Sequence, residues 1–386
     1  MTDRRLLMIP GPIELEPDVL RALSAKTRSH LDPEFVETFG RTLGRVREVF
    51  VAPSAQPFVI AGTGTLAREV AASSLVEPGD AVLVVDTGYF SERMATLLDR
   101  IGAKVTRVTA AVGHAPELAE IERALGSGSF RAVTVTHVDT STGVRAPVRE
   151  IAALARAHGA LSIVDGVCSV GAEELKQDEW GVDCALTASQ KALGAPPGLA
   201  VLAFSANAME RCRARRTRPA SLYLDAGEWL PIMQAYEARK PAYFATPAVN
   251  LVASLDASLA RIVQEGMGPR MARHATMARA FRAGIAALGM RIVADERVAS
   301  STITGIYYPE GVDASLVAAI GAEGVIVAGG LLPAIRAQYF RVGHMGAVSA
   351  SDVLATLGAI ERGLVRAGGR VELGAGIGAA QRALLG

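Results

Sequence analysis

Charge of one sign is missing from this chain: 386 residues carry 40 Lys plus Arg against 39 Asp plus Glu, a formal net charge of +1. No long run of like charge builds the basic face that a polyanion requires, which sets nucleic acid aside as a partner. The densest basic stretch, RCRARRTRP over 211–219, has no interleaved aromatics and reads as a solvated helix face. Cysteine is scarce. Cys168, Cys184 and Cys212 form an odd set without metal-ligand spacing, so neither a disulfide framework nor a metal site is expected, and a reducing compartment fits. Apolar runs are short and broken by charges, well below the roughly 18 residues that span a bilayer, so no membrane partner is expected. The opening MTDRRLLMIPGP reaches Pro10 before any apolar segment of signal-peptide length, and QRALLG lacks a Ser-Lys-Leu tail. The expectation is a cytoplasmic protein, with peroxisome and mitochondrion as alternatives. Internal repeats are absent, and no low-complexity tract exceeds the Ala/Gly-rich tail.

What is present is an alternation. PFVI (57–60), AVLVVD (81–86), KVTRVTA (104–110), AVTVTHV (132–138), LSIVDG (161–166), CALTAS (184–189) and LAVLAFS (199–205) read as strands. Between several of them lie amphipathic stretches such as LAREVAASSLV (66–76) and PVREIAALARAHG (147–159), with apolar residues at helical spacing. Strands separated by crossover helices mean an α/β fold with a mainly parallel sheet covered on both faces. Near 265 the pattern changes to a long Arg- and Ala-rich helix around 268–289, then shorter strands in STITGIYY and GVIVAGG. The division expected is an N-terminal arm (1–21), a large domain (22–265) and a smaller α+β C-terminal domain (266–386).

Three features carry chemistry. Ala61-Gly62-Thr63-Gly64-Thr65 follows a strand directly and opens a helix, where unpaired amides, the helix dipole and two hydroxyls make a cup for phosphate. Gly and Thr there are also ordinary turn and cap chemistry. Position 67 is Ala and no third glycine follows, so the dinucleotide fingerprint is incomplete. Asp165 ends the strand LSIVDG, placing a carboxylate at the sheet edge where ligands bind; capping the next turn is its ordinary alternative. Lys191 follows CALTASQ; desolvated in such a crevice it would be a free amine able to attack a carbonyl, whereas most lysines are solvated. Phosphate cup, Asp and Lys in this order are together what pyridoxal 5'-phosphate requires: the lysine takes the aldehyde, the Asp pairs with the ring nitrogen, the helix end holds the phosphate.

On these residues the chain resembles fold-type I pyridoxal-phosphate enzymes of the class V aminotransferase group, and within it the alanine:glyoxylate aminotransferases, most closely the fungal type. The resemblance extends over IPGPI (9–13), QPFVIAGTGTL (56–66), AVTVTHVDTSTGV (132–144), DEWGVDCALTASQKALGAPPGL (178–199), AYFATP (242–247), GVIVAGG (324–330) and FRVGHMG (340–346). It implies a seven-stranded sheet, Lys191 as the lysine that binds the cofactor and moves protons, and Asp165 as partner of the ring nitrogen. Thr63, Gly64, Thr65 and Gln190 would hold the phosphate, and Thr140 would sit by the ring hydroxyl. Phe90 stands where the family places an aromatic, often Trp, on the cofactor ring; it stacks but lacks the indole N–H. Tyr243 and Thr246 resemble residues that reach the phosphate of a neighbouring subunit, implying a homodimer with shared active sites. Arg341 resembles the arginine that clamps the substrate carboxylate, suited to a planar fork. His137 and His344 follow apolar strands and read as histidines satisfied by backbone.

The resemblance implies small-molecule partners, an amino acid and a 2-oxo acid: L-alanine gives its amine and leaves as pyruvate, and glyoxylate becomes glycine, serving glycine formation and glyoxylate detoxification. Serine:glyoxylate and serine:pyruvate aminotransferases share much of this motif set, as do 2-aminoethylphosphonate aminotransferases. A non-catalytic scaffold is disfavoured by Asp165, Lys191 and Arg341, and a cysteine desulfurase by the lack of any Cys beyond 212.

Overall fold

The computed structural model describes residues 5–385. Its central sheet comprises β1 (Gln56–Ala61), β2 (Ala81–Asp86), β3 (Lys104–Thr109), β4 (Ala132–Thr136), β5 (Leu161–Asp165), β6 (Cys184–Ala188) and β7 (Leu199–Phe204). The apolar runs thus form the strands expected of them, trimmed or extended by a residue or two where a turn begins. β4 to β7 are buried at every position, as central strands covered on both faces must be. β3 lies at an edge and exposes Lys104, Thr106 and Arg107, which discourages pairing with another chain.

The spatial order is β1-β7-β6-β5-β4-β2-β3. Neighbours run parallel except β7, which is antiparallel to both β1 and β6. The connection 189–198 contains no crossover helix, so the chain leaving β6 folds straight back. β1 beyond β7 reverses again, and its end at Ala61 returns to the edge where β5 ends at Asp165 and β6 at Ala188. That edge collects the chemistry. The covering helices include α1 (Gly64–Leu75), α2 (Tyr89–Ile101) and α3 (Val148–Ala157). α3 buries Val148, Ile151, Ala152 and Ala155, a spacing of three, four and seven that makes one apolar stripe. Full burial of Val148 or Ile151 is worth about 1.5–3 kcal/mol each.

At Gly266, with φ of 80°, α4 (Val249–Glu265) gives way to α5 (Met267–Ala287). α4 packs Leu255 and Leu259 into the core around the large sheet, and α5 packs Phe281 and Ile285 into a second core with Ile306, Phe340 and Leu357. This second core covers an antiparallel sheet of β8 (Ile303–Tyr307), β9 (Ala328–Gly329) and β10 (Tyr339–Gly343), ordered β9-β10-β8. Met8 from the amino-terminal arm is buried in it, and Leu6–Leu7 pairs in parallel with Val325–Ile326.

Two expectations need correction. GVIVAGG is not one strand, because Val325–Ile326 pairs with the arm while Ala328–Gly329 pairs with β10. RCRARRTRP is not one helix face: the helix ends at Arg213, and a loop follows whose Arg216 and Thr217 amides donate to the buried Glu77 carboxylate.

Candidate active site

α1 begins where β1 ends. Thr63 is its N-cap in extended conformation, and the first intrahelical bond runs from the Ala67 amide to the Thr63 carbonyl. The amides of Gly64, Thr65 and Leu66 therefore have no helical acceptor and face outward from the helix end. Gly64 allows the close approach: a Cβ there would come within 2.8 Å of Val167 Cγ2. Thr63 and Thr65 are exposed beside these amides.

Asp165 is buried at the end of β5; its Oδ1 accepts the Val167 amide at 3.0 Å and its Oδ2 accepts Arg68 Nε at 2.5 Å. The Arg68 guanidinium in turn lies 4.8 Å from the centre of the Phe90 ring. Phe90 is seated by Asp139, whose Oδ2 accepts the Phe90 amide at 2.9 Å while Oδ1 accepts the Ser141 amide at 2.9 Å and hydroxyl at 2.6 Å. Burial pushes the Asp139 carboxyl above its ordinary range, and these bonds pull against that shift.

Lys191 follows β6 by three residues, with Nζ donating to the Pro10 carbonyl. Burial pushes its ammonium below the usual lysine range, and the charge of Arg341 adds to this. The effect favours a free amine, the form that attacks a carbonyl. Gly11, at φ of 97°, lies against the same side chain: a Cβ there would meet Lys191 Cδ at 2.5 Å. The arm thus closes over the lysine.

Arg341 arrives from the small sheet, on β10, and bridges it to the edge of the large sheet. Its Nε donates to the Gly329 carbonyl at 2.8 Å and its Nη1 to the Thr140 carbonyl at 3.1 Å, so Thr140 is held at the same edge. Nη2 has no protein partner among the described residues, leaving donors for an anion. Gln190 sits partly buried beside Lys191, its Oε1 without a hydrogen-bond partner; rotating the amide would present NH2 there. Cys168 is also close, but burial pushes its thiol up, away from a thiolate.

Of the residues expected at the site, the edge brings together Thr63, Gly64, Thr65, Phe90, Thr140, Asp165, Gln190, Lys191 and Arg341. Tyr243 and Thr246 are not joined to them by any hydrogen bond among the described residues; Tyr243 is 63% exposed and its ring lies 5.4 Å from that of His30. His344 is satisfied by Thr304 and Ser301, as expected. His137 departs from expectation, because its buried Nδ1 has no partner among the described residues. Burial holds both imidazoles down to about 3, so neither carries a charge at neutral pH.

Arg68, Asp139 and the Pro10–Gly11 arm escape the sequence pattern. A charged residue on the buried face of LAREVAASSLV was the available signal for Arg68, and HVDTSTG displayed Asp139 without its role.

These residues fit pyridoxal 5'-phosphate. Free amides at Gly64 and Thr65 with two hydroxyls suit its phosphate, the orphaned Gln190 amide suits an oxygen beside it, Phe90 suits the ring face, and a buried carboxylate suits the ring nitrogen. Lys191 as a free amine suits the aldehyde.

Comparison with known proteins agrees. The family model "Aminotransferase class-V" matches residues 19–352. Alanine–glyoxylate aminotransferase 1 of Saccharomyces cerevisiae is 39% identical over 363 residues, covering 90% of this chain and 94% of the relative. L-aspartate–glyoxylate aminotransferase of Paracoccus denitrificans is 35% identical over 391 residues, covering 99% and 96%. The crystal structure of ureidoglycine–glyoxylate aminotransferase from Bacillus subtilis has a TM-score of 0.92 at 28% identity, covering 99% of this chain and 98% of that one.

Proposed function

The chain belongs to the class-V aminotransferases and its cofactor is pyridoxal 5'-phosphate, and from that premise we propose that it moves the amino group of L-alanine to glyoxylate, giving pyruvate and glycine. The observation that carries the reading is the desolvated lysine beside one arginine with free donors, in a chain whose relatives share glyoxylate in their names whatever their donor.

The cofactor, when bound, supplies the carbonyl that accepts the amine and a ring that withdraws electrons from the substrate. Lys191 Nζ, its proton affinity lowered by desolvation, takes the proton from the donor's Cα and later gives one to the acceptor's carbon. Arg341 holds the α-carboxylate through its free N–H groups, while its bonds to Gly329 and Thr140 keep the guanidinium from turning. Pro10 and Gly11 lie against the lysine and reduce its contact with water. Asp139 keeps Phe90 in place, where its face would stack on the cofactor ring.

A small donor suits these surroundings better than a dicarboxylate. The cations acting on Lys191 among the described residues are Arg341 and Arg68, and Arg68 is engaged by Asp165, which leaves Arg341 to meet a single carboxylate. Serine as donor is the second reading, favoured by its similar size. Exposed Tyr243 and Thr246 are available to a second copy's site, and the assembly read from this is a homodimer with shared sites. A panel of alanine, serine and aspartate against glyoxylate and pyruvate tests the assignment. Alanine with glyoxylate is expected to give the highest kcat/KM; a tenfold advantage for serine or aspartate would replace it.

A further inference from the structure

Arg68 is 5% exposed, and a buried guanidinium demands an anionic partner. It finds one in Asp165, through Nε to Oδ2 at 2.5 Å, while its flat face lies over Phe90 at 4.8 Å. Both partners belong to the surroundings of the cofactor ring, yet Arg68 lies in neither the phosphate cup nor the substrate clamp. Asp165 Oδ1 accepts the Val167 amide and Oδ2 accepts Arg68 Nε, so each oxygen keeps one further acceptor position and any new donor shares the carboxylate with both.

We infer that Asp165 is a shared acceptor: Arg68 is a positioning residue that aims the carboxylate and draws off part of its charge, so that the ring nitrogen of pyridoxal 5'-phosphate is bonded more weakly and protonated less than beside an unshared carboxylate. A cation at hydrogen-bond distance from the carboxylate competes for its charge and repels a positive ring nitrogen. Lys191 and Arg341 face the same edge and, when charged, act in the same direction; Asp139 opposes them from the Phe90 side but is bound by Ser141 and the α2 amides. The inference rests on Asp165 being the ring nitrogen's partner.

The test compares dissociation constants of the cofactor-stripped protein for pyridoxal 5'-phosphate and for its 1-deaza analogue, in which CH replaces the ring nitrogen. Their ratio, at one pH, isolates the bond to Asp165 from the phosphate and lysine contributions. Arg68→Leu is expected to raise the preference for the natural cofactor about tenfold, equivalent to about 1.4 kcal/mol. Arg68→Gln, which keeps polar atoms without charge, is expected to do the same and stands in if the leucine variant does not fold; Arg68→Lys is expected to stay near the wild-type ratio. The 15N resonance of labelled, bound cofactor should move toward its protonated position in the Leu and Gln variants. An unchanged ratio and resonance in a folded variant overturns the inference. So does an equal gain in affinity for both compounds, which would mean that Arg68 stands in the ring's own place. Asp165→Asn separates the premise: if it leaves the wild-type ratio unaltered, Asp165 is not the nitrogen's partner.

Discussion

Gly11→Ala is expected to disable the enzyme out of proportion to the single carbon it adds. The new Cβ would lie 2.5 Å from Lys191 Cδ, 2.9 Å from Nζ and 3.0 Å from Cε, whereas carbons in contact are ordinarily about 3.5–4.0 Å apart. The outer half of the lysine must therefore withdraw by about 1 Å. Displacing a reacting group by that distance costs about 100-fold in rate, equivalent to about 2.7 kcal/mol on the activation barrier. The backbone adds a second penalty, since φ of 97° is unfavourable for alanine by about 1–2 kcal/mol. At about 2–4 °C per kcal/mol, Tm should fall by about 2–8 °C. Gly79→Ala supplies the control: Gly79 has φ of 88° and a Cβ there would meet nothing within 4 Å, so the same strain arises far from the lysine. The assay is kcat with saturating alanine and glyoxylate alongside Tm for both variants. If Gly11→Ala matches Gly79→Ala in kcat, the arm does not press on Lys191 and the reasoning fails.

Arg341→Lys keeps a charge but loses the fork and its bonds to Gly329 and Thr140; kcat/KM for alanine and glyoxylate should fall together by about tenfold or more, and wild-type values for both would remove Arg341 from the substrate. The loading rate of cofactor-stripped protein depends on the neutral fraction of Lys191, so it should rise with pH and level off at a midpoint below the ordinary 10.5; a rate still climbing through that value would mean an unshifted lysine. Mixing Lys191→Ala protein with a Tyr243→Phe/Thr246→Ala variant should restore partial activity through hybrid sites, and no recovery after demonstrated subunit exchange would refute shared sites.

The sheet was legible because its signal is local. Apolar runs such as AVLVVD become strands over the same residues, and the helix opening at Gly64 is written in the Gly-Thr pattern that ends a strand. Asp165 and Lys191 were legible because one ends a strand and the other follows one by three residues, both on the same edge, where a parallel sheet places such ends together. Arg68 was not: its charge in an otherwise apolar stripe signals an ion pair, but the partner is 97 residues away and the stripe does not name it. The arm was hidden for the same reason, since Pro10 meets Lys191 across 181 residues. Asp139 stands within HVDTSTG, but its work is to hold the amides of α2, a backbone role that no side-chain pattern announces. The split of GVIVAGG between two sheets likewise depends on the arm's docking beside Val325.

The chemistry of the whole site depends on which amine receives the cofactor. Borohydride reduction of the loaded protein, followed by proteolysis and mass mapping, identifies it directly. The account predicts the reduced cofactor on Lys191 and no attachment in Lys191→Ala; label on Lys26, Lys104, Lys176 or Lys240 instead would contradict it.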